Sequence, residues 1–323
     1  MAGADSDNRL RDRLVVLIGG SGFFGCHLAQ ELLTRGARLR IASRHPERAY
    51  SLKPLGNLGQ VQFVRCDVTR AASLAAAVTG ANAVVNLVGA FAGNLDAVQG
   101  KGAGTIAAAA RDAGAGAFVH VSAIGADPES SVAYARTKAE GEDAVRAAFP
   151  QATILRPSIL FGQDDGFLNM FGGLIEALPA LPVFAPNAKL QPLFVDDAAQ
   201  AVAHALADPA AHGGKLYEIA GPEVLTMLEL NEAIAAAEGR KRLFVPLPDA
   251  VSGAIAAFTG WLPGAPMTTS QWKLLQPGNV ASGQFPGLKE LGVSPRPLRL
   301  FLDRWMVRYR RCGRFGAGAS SAV

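Results

Sequence analysis

The chain has 323 residues, half of them hydrophobic and 18% charged, with 36 Gly, 19 Pro and a formal charge of +4. That composition can bury a sizeable core and excludes a disordered chain, and so small a cationic surplus does not mark a nucleic-acid binder. Three widely spaced cysteines, Cys26, Cys66 and Cys312, build neither a disulfide framework nor a CxxC metal knuckle, which points to a reducing, cytoplasmic setting.

Residues 1–13 carry acids and no apolar run, so they read as a flexible N-terminus and not as a secretory signal. Beyond them, short β-branched runs alternate with Ala-rich helical stretches. Strands are predicted at 14–18, 39–42, 61–65, 83–87, 117–121 and 153–155, with helices near 24–35, 74–78, 96–112, 133–148 and 167–177. Apolar strands separated by helix-length spacers need crossover connections, hence a parallel sheet covered on both faces. The expected fold is α/β, a Rossmann-type doubly wound sheet.

Past Pro157 the rhythm loosens. Asp196-Asp197 open a helix through Leu206, their charge at the positive end of its dipole, and Thr226 with Glu229 forms a capping box for another. The expected plan is a nucleotide-binding domain over 14–180, a smaller and mostly helical lobe over 181–295 interleaved with it, and a basic amphipathic helix with a flexible tail over 296–323. Two uncharged stretches, 71–95 and 250–272, are broken by Gly and Asn or by Gly and Pro, and fall short of the ~20 apolar residues a membrane span needs. A shallow membrane or partner contact by Phe258, Trp261 and Leu262 stays open.

The run Gly19-Gly20-Ser21-Gly22-Phe23-Phe24-Gly25 follows the first strand and opens the first helix. One glycine permits a tight turn, the next lets backbone approach a pyrophosphate, and Gly25 lets helix pack against strand; the helix N-terminus offers free N–H groups to the phosphates. The second strand ends Ala42-Ser43-Arg44-His45, with no carboxylate for a ribose 2′-hydroxyl. Arg44 presents a planar fork to a 2′-phosphate and Ser43 adds a hydroxyl, so NADP(H) is favoured over NAD(H). Asp67 and Val68, after the third strand, are placed to meet the adenine. Asn86, Val88 and Gly89, ending the fourth, would lie along the cofactor's far half.

Ser122 ends the fifth strand, and Tyr134 and Lys138 lie one turn apart on the helix that follows. A phenol with pKa near 10 is a poor base at pH 7. A nearby ammonium and an oxidised nicotinamide both favour its phenolate. Ser122 would then bond the reacting oxygen while Tyr134 moves its proton and Lys138 also holds the ribose. The same residues equally fit a binder in which Lys138 only holds the ribose and Tyr134 is inert. No metal cluster and no Ser-His-Asp triad can be assembled, the five histidines being scattered.

With these residues in place, the chain resembles the extended and atypical short-chain dehydrogenase/reductase superfamily over about residues 14–237. The glycine run, Asp67-Val68, the Ser122/Tyr134/Lys138 set, Arg156-Pro157-Ser158 and Phe194-Val195-Asp196-Asp197-Ala198 carry the likeness. More narrowly, the stretches 18–25, 134–142, 154–165 and 267–279 resemble bacterial relatives of the nucleotide-binding accessory subunit of respiratory complex I, the alpha-subcomplex subunit nine family. That resemblance implies a tightly held NADPH serving structure more than turnover, Pro157 and Ser158 among its contacts, complex I subunits as partners and a link to ubiquinone. The sequence departs from the mitochondrial form in keeping a complete Tyr134 and Lys138 pair, which puts a purely structural role in doubt.

From Arg296 to Arg314 seven arginines face one acid, Asp303, a local charge of +6; the remainder, +4 less +6, sums to −2. Phe301, Trp305 and their apolar neighbours interleave with the arginines, so residues 296–314 read either as a contact for an anionic membrane surface, peripheral on the inner face of the cell membrane, or as a helix packed on its own domain. No nucleic-acid motif accompanies the charge. Three functions follow: an NADPH-holding accessory subunit or assembly factor, an NADP(H)-dependent oxidoreductase on a hydrophobic or quinone-like substrate, and, last, a nucleotide-sugar epimerase or dehydratase. The third needs a polar pocket where residues 243–275 are apolar.

Overall fold

The computed structural model describes residues 9–248, 252–253, 269–311 and 313. Most of the expected flexible N-terminus, the contact assigned to Phe258, Trp261 and Leu262, and the tail beyond 313 lie outside the described residues. Two compact units emerge, Met1–Pro157 with Val195–Ile219 and Ser282–Ser294, and Ser158–Phe194 with Ala220–Ala281 and Pro295–Val323. Among the described residues no helix is long and apolar enough to cross a membrane.

The first unit is a seven-stranded sheet. In chain order it contains β1 (Leu14–Ile18), α1 (Phe23–Thr34), β2 (Arg38–Ser43), β3 (Val61–Arg65), α2 (Ala71–Val78), β4 (Ala83–Asn86), α3 (Lys101–Asp112), β5 (Ala117–Val121), α4 (Ala133–Ala148), β6 (Thr153–Pro157), α5 (Val195–Ala207) and β7 (Leu216–Ile219). The strands lie in the order β7-β6-β5-β4-β1-β2-β3, all parallel. Val15 to Ile18 and Val84 and Val85 are fully buried, as strands covered by helices on both faces must be. The order reverses between β1 and β4, and the crevice at the carboxyl ends of those strands is where such sheets bind ligands. The register sets Ala42, Ile18, Asn86 and His120 abreast across that end.

One predicted helix divides. The stretch 96–112 is a π-turn, Asp96–Gly100, followed by α3. The wider turn lets Gln99, itself buried, reach Thr137 Oγ1 on α4 at 2.8 Å and accept from Ala90 N at 3.1 Å. Close approach of α3 to α4 leaves no room for a side chain at Gly104, where a Cβ would come within 2.8 Å of Ala144 Cβ. π-turns of this kind commonly mark functional segments.

In the second unit the helices Phe167–Ala177, Met227–Ala237 and Arg299–Trp305 surround short strand pairs, among them Ala180–Val183 with Leu243–Pro246. Thr226 and Glu229 make the expected reciprocal capping box. The described part of the basic segment packs on its own unit. Leu298, Leu302 and Met306 are buried, Phe301 stacks on Phe194 at 4.2 Å and on Trp305 at 4.7 Å, and the Arg296 guanidinium lies 4.4 Å above the Phe194 ring.

Candidate functional site

The glycine run wraps the carboxyl end of β1. Gly19 has φ +82°, a conformation glycine adopts without cost, and a Cβ there would press within 3.2 Å of Val88 N. A Cβ on Gly25 would lie 2.5 Å from Gly20 O, so α1 docks at a distance only glycine allows. At Gly22, by contrast, a Cβ would meet nothing nearer than Gly19 O at 3.7 Å. No side chain caps the N-terminus of α1 and no acid stands in its first turn. Phe23, Phe24 and Gly25 form that first turn, whose N–H groups have no carbonyl of the helix to bond. A backbone cradle open at Gly22, in front of an uncapped helix, fits a pyrophosphate.

Beside it, Ser21 Oγ donates to Ser43 Oγ at 2.8 Å, and Ser43 Oγ also accepts from His45 N at 3.2 Å. The loop is thereby tied to the end of β2, where Arg44 is exposed. Asp67 uses its carboxylate locally, accepting from Thr69 Oγ1 at 2.7 Å and Thr69 N at 3.0 Å. Those bonds, with Arg70 and Arg44 nearby, hold it below the usual carboxylate range. Val68 and Val88 pack against the apolar core.

The far half of the crevice is polar and buried. Asn86 Oδ1 accepts from Val88 N at 3.0 Å, so its Nδ2 faces His120 Nδ1 at 3.1 Å. That ring nitrogen must then accept, which places the imidazole proton on Nε2. His120 is wholly buried, and burial, then the charges of Lys138 and Arg146, push it down to about 3. It is a neutral imidazole at any physiological pH. Its Nε2 has no hydrogen-bond partner among the described residues.

Lys138 is buried as well, and its Nζ donates to Val121 O at 3.0 Å and Val88 O at 3.5 Å. Burial lowers it to about 8, with Glu142 opposing the shift. A Cβ on Gly89 would come 3.5 Å from that ammonium. Tyr134 stacks on Phe91, ring centroids 4.6 Å apart and planes 14° from parallel. Burial pushes its phenol up to about 12, and Lys138 Nζ lies 6.0 Å from its ring centroid.

Ser122 is committed elsewhere. Its Oγ donates to Glu142 Oε1 at 2.6 Å. Glu142, 1% exposed, also accepts a bidentate pair from Arg156, at 2.7 and 2.8 Å, and a bond from Arg146 at 3.2 Å. Of the remaining expected contacts, Pro157 accepts from Ile124 N through its carbonyl. Ser158 belongs to the second unit, where its Oγ donates to Gln191 O at 2.6 Å. The sequence reading passed over His120, Gln99, Glu142 and Phe91. Only His120, at the carboxyl end of β5 and two residues before Ser122, carried a local signal, and that was its strand position.

Residues 19–170 match the NAD(P)H-binding family, and residues 125–256 the RmlD substrate binding domain. The first unit is thus an NAD(P)H-binding, short-chain dehydrogenase/reductase-like domain. A solved NADPH-dependent quinone oxidoreductase from Escherichia coli, complexed with NADPH, shares the fold at TM-score 0.72 and 20% identity, covering 89% of this chain and 98% of that one. A ceramide reductase of Caulobacter vibrioides is 30% identical over 73% of this chain and 74% of its own length. The rat mitochondrial NADH dehydrogenase [ubiquinone] 1 alpha subcomplex subunit 9 is 33% identical over 92% of this chain and 80% of its own length. With a third of its residues identical across nine-tenths of its length, the chain belongs to the family of the NADH dehydrogenase [ubiquinone] alpha subcomplex subunit 9.

Proposed function

We propose that the chain is an NADPH-holding accessory subunit or assembly factor of a respiratory NADH:ubiquinone oxidoreductase, in which the nucleotide is retained and not turned over. The observation that carries this reading is the Ser122–Glu142 bond of 2.6 Å. A hydroxyl whose proton is held by a buried carboxylate, itself clamped by Arg156, has no proton to give a reacting oxygen. A Tyr134 phenol near 12 is also far from the phenolate that taking a proton from an alcohol needs at pH 7, while it keeps the proton that the reductive direction would use.

When bound, the nicotinamide would supply hydride chemistry. The chain's own part is to hold the nucleotide. The Gly19–Gly25 turn and the mouth of α1 take the pyrophosphate, and Ser21, Ser43 and Arg44 take a 2′-phosphate, which supports NADP(H) over NAD(H). Lys138 takes the nicotinamide ribose, with Asn86 and Gly89 lining its approach and Asp67 and Val68 at the adenine. Partner subunits follow from the family. Because Phe301 and Trp305 are used in internal packing, attraction of the described residues of this segment to an anionic membrane surface would rest on the exposed arginines Arg299, Arg304, Arg308 and Arg311.

The second reading, an active NADP(H)-dependent oxidoreductase on a hydrophobic substrate, is supported by the intact Tyr134 and Lys138 pair and by the ceramide reductase relative. Purified, NADPH-loaded protein separates the two. The accessory reading expects nucleotide retained through gel filtration, and no oxidation of NADPH by added quinones above the Tyr134→Phe background. Turnover that collapses in Tyr134→Phe would overturn it in favour of the enzyme.

A further inference from the structure

We infer that Phe91 is a displaceable lid over a site for a planar aromatic ring: its own ring takes the place, stacked on Tyr134, that such a ligand would fill. The lid closes the crevice in which the function proposed above seats the nicotinamide end of the nucleotide, and it rests on that reading for what it guards.

Phe91 lies in the loop between β4 and the π-turn Asp96–Gly100, and Tyr134 in the first turn of α4. Their ring centroids are 4.6 Å apart and their planes 14° from parallel, the geometry of a stacked aromatic pair. Tyr134 is the one ring against Phe91 among the described residues, and Phe91 is 67% exposed. The loop is pinned on both sides of that ring. Ala90 N donates to Gln99 Oε1 at 3.1 Å, and on the far side Ala97 N donates to Asn94 Oδ1 at 3.1 Å. Gln99 also donates to Thr137 Oγ1 at 2.8 Å and to Tyr134 O at 3.5 Å, so one buried amide ties the root of the loop to the turn that carries Tyr134. Between the pins residues 91–94 are exposed, and Gly93, at φ +88°, has nothing within 4 Å of where a Cβ would stand. A fixed frame with an open span lets the ring leave while α4 stays in place.

The stack defines what can replace it. Parallel rings at this distance need a flat partner with a π face, which a saturated group does not have. The space is the volume of the Phe91 ring itself, and it opens to solvent once the side chain turns outward. Phe91 gives up little buried area in turning, since most of it is already in water. A planar ligand thus competes with Phe91 for the face of Tyr134, and its affinity is reduced by the lid's preference for the closed position. A stacked pair sustains a closed-to-open ratio of about three to ten.

The test titrates the full-length protein, with NADPH present, by isothermal titration calorimetry. The probes are 2-naphthol and its saturated, non-planar counterpart decahydro-2-naphthol. Phe91→Ala should bind 2-naphthol more tightly than the wild type by about three- to tenfold, as the competing ring is gone, and decahydro-2-naphthol within about twofold of the wild type. Phe91→Trp, which keeps a flat lid, should bind 2-naphthol no more tightly than the wild type. An unchanged affinity for 2-naphthol in Phe91→Ala, an equal gain for the saturated probe, or no binding of 2-naphthol to Phe91→Ala overturns the proposal. Weaker binding in Phe91→Ala overturns it as well, because the ligand would then be stacking on the outer face of Phe91. These readouts involve no turnover. Quinone-driven oxidation of NADPH that collapses in Tyr134→Phe would defeat the accessory reading and leave the lid standing, while failure of the lid leaves nucleotide retention untouched.

Discussion

Lys138 is an ammonium held inside a protein by two carbonyl oxygens, with its charge only partly answered by Glu142. In the function proposed above, the edge of a ribose would add oxygen ligands to that shell. The burial of Lys138 has a consequence for stability that can be worked out. The folded state holds Lys138 near 8 against about 10.4 in the unfolded chain, so between those values the unfolded chain binds more protons. The resulting penalty is absent above about pH 10.4, grows as pH falls, and is complete below 8, where it reaches roughly 3 kcal/mol. In urea unfolding, the stability of Lys138→Met relative to the parent should therefore be most favourable below pH 8 and decline by an amount of that order towards pH 10. A difference that stays constant with pH would show that Lys138 is solvated. Ser122 teaches the complementary lesson. Its place at the end of β5 was legible, but the direction of its hydroxyl was not, because Glu142 meets it from a helix and is itself held by Arg156 from another strand.

At the scale of elements, β1, α1 and the turn between them were readable because each requirement is local: a buried strand, glycines where backbone must come close, and a helix without an acid or a cap at its start. Gly25 and Gly22 differ in what surrounds them. Gly25→Ala sets a Cβ against the Gly20 carbonyl, and overpacking of that kind costs about 1–3 kcal/mol; both thermal stability and NADPH binding should fall. Gly22→Ala clashes with nothing in the protein, so its melting temperature should stay near the parent's while affinity for NADPH drops by about tenfold or more, since the methyl would stand in the cradle proposed for the pyrophosphate. Equal losses of stability in both variants, read by thermal unfolding beside calorimetric titration, would contradict these roles. The π-turn at Asp96–Gly100 was not readable, because it is set by the crossing of α3 over α4 and not by periodicity. Nor was the fate of the arginine-rich helix. Its amphipathic pattern is real, but the face it buries meets Phe161 and Phe194, far away in sequence.

For the whole molecule, alternation of strand and helix was enough to give the doubly wound parallel sheet, while the place of its reversal, between β1 and β4, came from the structure. Interleaving of the later chain with the first domain was expected; which segments return was not: Val195–Ile219 and Ser282–Ser294 belong with the first 157 residues, and β7 completes their sheet. Contacts between residues so distant in sequence leave no periodic trace. The proposed function requires one nucleotide, its pyrophosphate on α1 and its extra phosphate at Arg44. Denaturing the purified protein and quantifying the released nucleotide by mass spectrometry tests it most directly. NADP(H) in near one-to-one ratio with the chain is the result predicted. Protein that releases NAD(H), or no pyridine nucleotide at all, would contradict it.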